Sequence, residues 1–259
     1  MRRNAIAAFI CIALCARPGG SAGAAKDSAD SAKAIAQLLE EHYRHAQTLR
    51  AVFLERYSAG PREARIESGT VYFRRPGRMR WEYEAPEKKL FLSDGKSVWF
   101  YVPADRTVTK APIKESSDWR TPLALLTGRA NLSKLCNRID LIHQKNTPPG
   151  HAVLRCLPKG EPKSEPKNEN GVKPPANSAS EQDSTELPGA VDFTEVLLEV
   201  NSTNGELASV RIRQAGGIEI EYRFGDWQEG LPLPENMFQF HPPAGVAIVD
   251  GSALNNASH

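Results

Sequence analysis

The chain has 259 residues, 40% of them hydrophobic and 25% charged, with a formal net charge of +2. That supplies enough apolar material for one sizeable core or two small ones, and the near-neutral balance lacks the basic footprint of a nucleic-acid binder. No H-E-x-x-H and no P-loop occurs, and no carboxylate pair stands out as an acid–base couple, so the chain reads as a non-enzyme that needs no cofactor.

The N-terminus reads as a secretory signal over residues 1–24. Arg2 and Arg3 form a positive start, Ala5 to Ala16 is an apolar run too short to cross a bilayer, and Ala22-Gly23-Ala24 supplies the small residues a signal peptidase cuts after. Cleavage after Ala24 or Ala25 is expected. Cys11 follows Ile10 and Cys15 follows Leu14, which disfavours lipidation of this chain. Removing residues 1–24 leaves 30 basic and 31 acidic side chains. It also leaves two cysteines, Cys136 and Cys156. An even count in an exported protein favours a disulfide, with two buried thiols as the alternative.

Residues 30–46 read as a helix. Ile35, Leu39, Tyr43 and Ala46 recur on one face, while Glu40, Glu41 and Arg44 lie on the other. His42 and His45 beside Glu41 form only a weak metal pattern, better read as exposed helix residues. A series of about eleven strands follows. Met79, Trp81 and Tyr83 alternate with Arg78, Arg80 and Glu82. Val210 and Ile212 alternate with Arg211 and Arg213, and Ile218, Ile220, Tyr222 and Phe224 alternate with charged neighbours. Such period-two patterns mean one wet and one buried face. Arg75-Pro76-Gly77, Asp94-Gly95, Asn204-Gly205 and Gly216-Gly217 mark turns, so consecutive strands are expected to pair antiparallel. Thr121-Pro122 starts a short apolar helix carrying Leu123, Leu125 and Leu126 and ending at Gly128. A second short turn is expected over Leu132 to Leu135. Residues 158–189 are rich in Pro, Lys, Glu, Asn and Ser and read as a disordered insertion between strands. Residues 251–259 read as a flexible tail, leaving one domain over 25–250.

So wide a sheet with so few helices should curl into an incomplete antiparallel β-barrel under a helical lid. Such a fold suggests room for an apolar ligand, although a solid core fits the same pattern.

The segment Tyr72–Pro112, with Arg75-Pro76, Trp81-Glu82-Tyr83, Ser93-Asp94-Gly95-Lys96 and Val98-Trp99-Phe100-Tyr101, resembles the outer-membrane lipoprotein carrier proteins, the LolA family. The Thr121-Pro122-Leu123 helix start and the Met237-Phe238-Gln239-Phe240 stretch before Pro242-Pro243 extend the resemblance. The 158–189 insertion and Met79 depart from it. The resemblance implies a monomeric periplasmic carrier of lipoproteins that shields their acyl chains. It takes them from an ATP-driven ABC extractor in the inner membrane and hands them to a receptor at the outer membrane. One long acyl chain contributes on the order of 12 kcal/mol in a bilayer, so transfer needs a driven donor and an apolar cavity. By this resemblance Met79, Trp81, Tyr83, Leu90 and Leu92 line the cavity, with Leu90 and Leu92 facing the other three. Leu39, Tyr43, Leu123, Leu125 and Leu126 belong to the lid, and Arg75 latches it by bonding lid carbonyls. The alternative in another class is a periplasmic lipid or lipoprotein sensor of the same fold that controls a membrane-bound signalling protein. An unrecognised secreted hydrolase is the remote third.

Overall fold

The computed structural model describes residues 21–60, 64–113, 125–128, 131–159 and 193–251, with side chains from residue 30 onward. Helix α1 (Ser21–Arg44) opens the fold and starts nine residues before the expected helix. Twelve strands follow among the described residues: β1 (Thr48–Ala59), β2 (Arg65–Arg74), β3 (Arg78–Ala85), β4 (Lys89–Ser93), β5 (Ser97–Val102), β6 (Thr107–Pro112), β7 (Cys136–Ile142), β8 (His151–Pro158), β9 (Phe193–Asn201), β10 (Leu207–Gln214), β11 (Ile218–Glu229) and β12 (Ala247–Asp250). A one-turn helix α2 (Leu132–Leu135) precedes β7, where the sequence placed a short turn. Most of the expected 1–24 and 158–189 segments, the 121–124 helix start and residues 252–259 lie outside the described residues. Pro158, counted in the insertion from its composition, is instead the last residue of β8.

All twelve strands form one open sheet in the order β12-β6-β5-β4-β3-β2-β1-β11-β10-β9-β8-β7. β12 and β7 are its unjoined edges, so the barrel is incomplete. The eleven expected strands become twelve, and one pairing corrects the all-antiparallel expectation: β12 runs parallel to β6, Ala247 opposite Thr107. The connection from β11 explains it. Residues 231–246 do not turn back on β11 but cross the outer face of the sheet. Arg80 donates to the Met237 carbonyl at 3.1 Å, and Phe240 packs on Trp99 and Tyr101, each 5.5 Å between ring centroids. The strand delivered beside β6 therefore arrives in the same direction.

The inner face is strongly curved. Trp81 on β3 and Tyr222 on β11 have β2 and β1 between them, a span of roughly 14 Å in a flat sheet, yet their ring centroids are 5.1 Å apart. Helix α1 fills the concavity on the other side and rests on β7 and β8. Ala32, Ala36, Leu39 and Tyr43 recur at helical spacing and are all buried. The outer face over β8–β11 is wet, and its charges alternate by strand: Arg155 and Arg213 reach Glu195 on β9, and Arg211 and Arg213 reach Glu219 on β11.

Candidate functional site

The inner face of β1–β4 and β11 is built from aromatic rings. Phe53 meets Trp81 at 4.8 Å and Tyr83 at 5.0 Å, both edge to face. Phe73 stacks on Trp227 at 6.4 Å, and Trp227 meets Phe224 at 5.3 Å. Met79, Trp81 and Tyr83, expected on one inward face, are all buried in this wall. Leu90 and Leu92 are not part of it. In the β3–β4 ladder Trp81 pairs with Phe91, Glu82 with Leu90 and Arg80 with Leu92. Directly paired residues share a face, so Phe91 looks inward and the two leucines look outward with Glu82 and Arg80. This corrects the expected cavity wall by one residue. Leu92 is nonetheless 0% exposed, since it lies on the outer face that the 231–246 strap crosses.

Leu39 and Tyr43 project from α1 into the concavity and are fully buried. The Tyr43 hydroxyl accepts the Leu207 N–H at 3.1 Å, while Trp227 donates to the Leu207 carbonyl at 2.9 Å. Burial pushes the Tyr43 phenol well above its ordinary pKa, with the Leu207 N–H acting against that, so it is neutral at any physiological pH. Leu125 and Leu126 are buried in the same core, and Leu123 lies outside the described residues.

Arg75 stands where these parts meet. It follows β2, its peptide bond to Pro76 is cis, and its own N–H donates to the Gln47 carbonyl at 2.9 Å. The guanidinium forks. One Nη donates to the Arg44 carbonyl at the end of α1, 2.9 Å away, and the other to the Leu125 carbonyl at 3.4 Å. Burial pulls its pKa down from the ordinary arginine value. The 125–128 segment is held a second time, Gly77 N–H donating to the Thr127 carbonyl at 3.1 Å. Gly128, at φ +72°, lies so close that a Cβ there would sit 2.9 Å from Arg75 Cδ. One side chain thus joins the helix, the strand turn and the 125–128 segment.

Open space lies against α2. A small cleft of about 40 Å³ is lined by Leu132, Leu135, Cys156, Pro158, Phe193, Val196 and Leu198. Asn131 caps α2 by accepting the Lys134 N–H at 3.1 Å, and Glu40 on α1 accepts the Leu132 N–H at 2.6 Å. Cys136 and Cys156 are joined as a disulfide across the β7–β8 hairpin, with 5.4 Å between their Cα atoms. Of the weak metal pattern on α1, His42 turns instead toward Glu229, 3.4 Å away.

Polar groups on the inner face escaped the sequence reading. Lys89 bonds Glu67 at 2.6 Å and the Tyr83 hydroxyl donates to Glu55 at 2.7 Å, all four residues buried. A signal was present. Leu49, Ala51 and Phe53 set an inward phase in β1, and Glu55 continues it; Glu67 does the same ahead of Val71 and Phe73 in β2.

A family model described as outer membrane lipoprotein carrier protein LolA matches residues 44–148. The outer-membrane lipoprotein carrier protein of Nitrosospira multiformis is 26% identical over 215 residues, 82% of this chain and 86% of its own. That of Methylococcus capsulatus is 27% identical over 206 residues, 79% of this chain and 82% of its own. Among solved structures, an uncharacterized conserved protein from Thermus thermophilus aligns with a TM-score of 0.48 at 12% identity, covering 85% of this chain and 99% of its own.

Proposed function

We propose, from the premise that this chain belongs to the outer membrane lipoprotein carrier (LolA) family, that it ferries lipoproteins through the periplasm with their acyl chains sheltered against the inner face of its open sheet. The observation that carries this reading is the junction at Arg75. An apolar concave face is covered by α1 and the 125–128 segment, and a few polar bonds gathered on one side chain hold that cover in place. Such a cover opens at small cost: each charge-assisted bond contributes about 1.5–3 kcal/mol and its carbonyl partners can turn to water. The apolar surface exposed on opening is what acyl chains would bury, at about 0.8 kcal/mol per methylene.

In this reading residues 1–24 are the export signal and the mature domain runs to about residue 250. Met79, Trp81 and Tyr83 form the wall, with Phe53, Phe73 and Phe91 added to them. Leu39, Tyr43, Leu125 and Leu126 move with the lid, and Arg75 latches it. Cargo comes from an energy-driven extractor in the inner membrane and goes to an outer-membrane receptor that binds it better. The chain does no chemistry of its own.

The test is direct. Purified protein is mixed with a detergent-solubilised triacylated lipopeptide, detergent is removed, and the mixture is separated by size. The lipopeptide should co-elute with the protein, and the same peptide without acyl chains should not. Equal retention of both, or of neither, would reject the proposal.

A further inference from the structure

Four of the buried polar residues of the inner face, Glu55, Glu67, Tyr83 and Lys89, form a bar across β1–β4. Glu55 on β1 and Glu67 on β2 are direct register partners, and Tyr83 on β3 and Lys89 on β4 are likewise partners. The two bonds cross strands. Lys89 reaches over β3 to Glu67, with the side chains only 5% and 7% exposed. Tyr83 reaches over β2 to Glu55 at the one place where β2 offers no side chain, Gly69. Toward the Arg75 end the same face is apolar on β1–β3, with Leu49, Ala51 and Phe53, Val71 and Phe73, and Met79 and Trp81; on β4 Phe91 is followed by Ser93, whose hydroxyl donates to the Gly77 carbonyl at 3.2 Å. Beyond the bar lie Tyr57 and Arg65, opposite each other in the register.

Resting on the carrier reading above, we infer that this polar bar is the end stop of the acyl site against β1–β4 and sets the chain length the protein prefers. A hydrocarbon tail advancing from the Arg75 end meets apolar contact until it reaches the bar. To go further it must part a buried ion pair, and separated charges in a dry interior are costly. Leu49 and Glu55 are six residues apart along β1, roughly 20 Å of strand. One leaflet of a bilayer's hydrocarbon core is about 15 Å deep. The apolar reach therefore matches an ordinary membrane acyl chain with little to spare. A carrier with this stop takes membrane-length chains fully and leaves the end of a longer chain unburied.

The experiment uses a series of single-chain lipopeptides from lauroyl through palmitoyl to arachidoyl, titrated against the whole mature protein. Each added methylene should tighten binding about fourfold until the chain spans the apolar reach, after which further methylenes should add less than twofold. In the double variant Glu67→Leu/Lys89→Leu, which removes both charges together, the plateau should move to longer chains. An unchanged plateau in a folded double variant overturns the stop. A second measurement needs no variant. A lipopeptide carrying a diazirine at the chain terminus should cross-link wild-type protein at Phe53, Tyr83 or Lys89, and adducts at Tyr57 or Ile220 would place the chain past the bar and refute it. Absence of binding by every chain length would instead reject the carrier reading, and the stop with it.

Discussion

Phe53 and Tyr83 meet ring to ring at 5.0 Å although β2 runs between their strands, because the residue of β2 that separates them is Gly69. The ladder shifts register at this point, and a Cβ on Gly69 would lie 1.9 Å from the Glu82 carbonyl oxygen. That is backbone, which cannot swing aside as a side chain can. Gly69→Ala should cost about 2–3 kcal/mol or more, with the melting temperature falling by several degrees. A variant that melts with wild type would mean the strand pair relaxes freely at the bulge.

The Cys136–Cys156 bridge joins residues 20 apart and closes a loop that carries most of the β7–β8 hairpin at the sheet edge. Closing a loop of that size restrains the unfolded chain by about 3 kcal/mol. Cys136→Ala/Cys156→Ala, or reduction of the native protein, should therefore lower the melting temperature by roughly 6–12 °C for a domain of this size. Thermal unfolding with and without reductant measures it, and reductant should leave the double-alanine variant unmoved.

Asp94 organises the β4–β5 turn. One carboxylate oxygen accepts the backbone N–H of Lys96 and of Ser97, each at 2.7 Å, and the other accepts the Trp99 indole N–H at 3.4 Å. Burial by itself would raise its pKa, but these donors, with Lys110 nearby, hold it below the ordinary carboxylate value. A depressed folded pKa contributes stability that is present above the unfolded value, about 3.9, and lost as pH falls through the folded one. Asp94→Asn should thus be about 1 kcal/mol less stable than wild type at neutral pH. The gap should close below about pH 4. Denaturant melts at pH 7 and pH 3 check this, and a gap that widens in acid contradicts it.

Much of this architecture was legible because period-two patterning reports a face directly. Met79-Trp81-Tyr83 and Ile218-Ile220-Tyr222-Phe224 each look inward as their alternation requires. It failed at β4, where Leu90, Phe91 and Leu92 are all apolar and carry no phase. The pairing of Lys89 with Tyr83 decided the register there, and outward Leu92 is buried because the 231–246 strap covers that side. The parallel pairing of β12 was illegible for a related reason. It depends on the path of a proline-rich connection over the sheet, which no local pattern encodes. The Arg75 fork came through the family resemblance, since an arginine before a turn looks the same whether or not carbonyls await it. The inward glutamates were there to be read, but a charge on an apolar phase is easily taken for a strand end.

The last prediction concerns the Arg75 junction. Arg75→Leu keeps an apolar stem but removes both donors to the Arg44 and Leu125 carbonyls. The carbonyls can turn to water, so the covered state should weaken by about 1–3 kcal/mol while the fold survives. That loss falls on the covered, empty state alone if cargo displaces the lid. The variant should then bind lipopeptide as well as or better than wild type. Its handover should fail, since re-covering the apolar face is part of what makes release favourable. Arg75→Lys should be partly defective, because an ammonium lacks the planar fork that reaches two carbonyls at once. Gly128→Ala approaches the same junction from the lid: its Cβ would press on Arg75 Cδ at 2.9 Å, and φ +72° is unfavourable for alanine. It should show the same pattern of retained loading and slowed release. The measurement is two-stage: release of lipoprotein from inner-membrane vesicles into a soluble complex, then transfer to receptor-bearing vesicles. Normal transfer by the leucine variant would remove the latch. Failed loading by a folded leucine variant would place Arg75 at the contact with the donor instead.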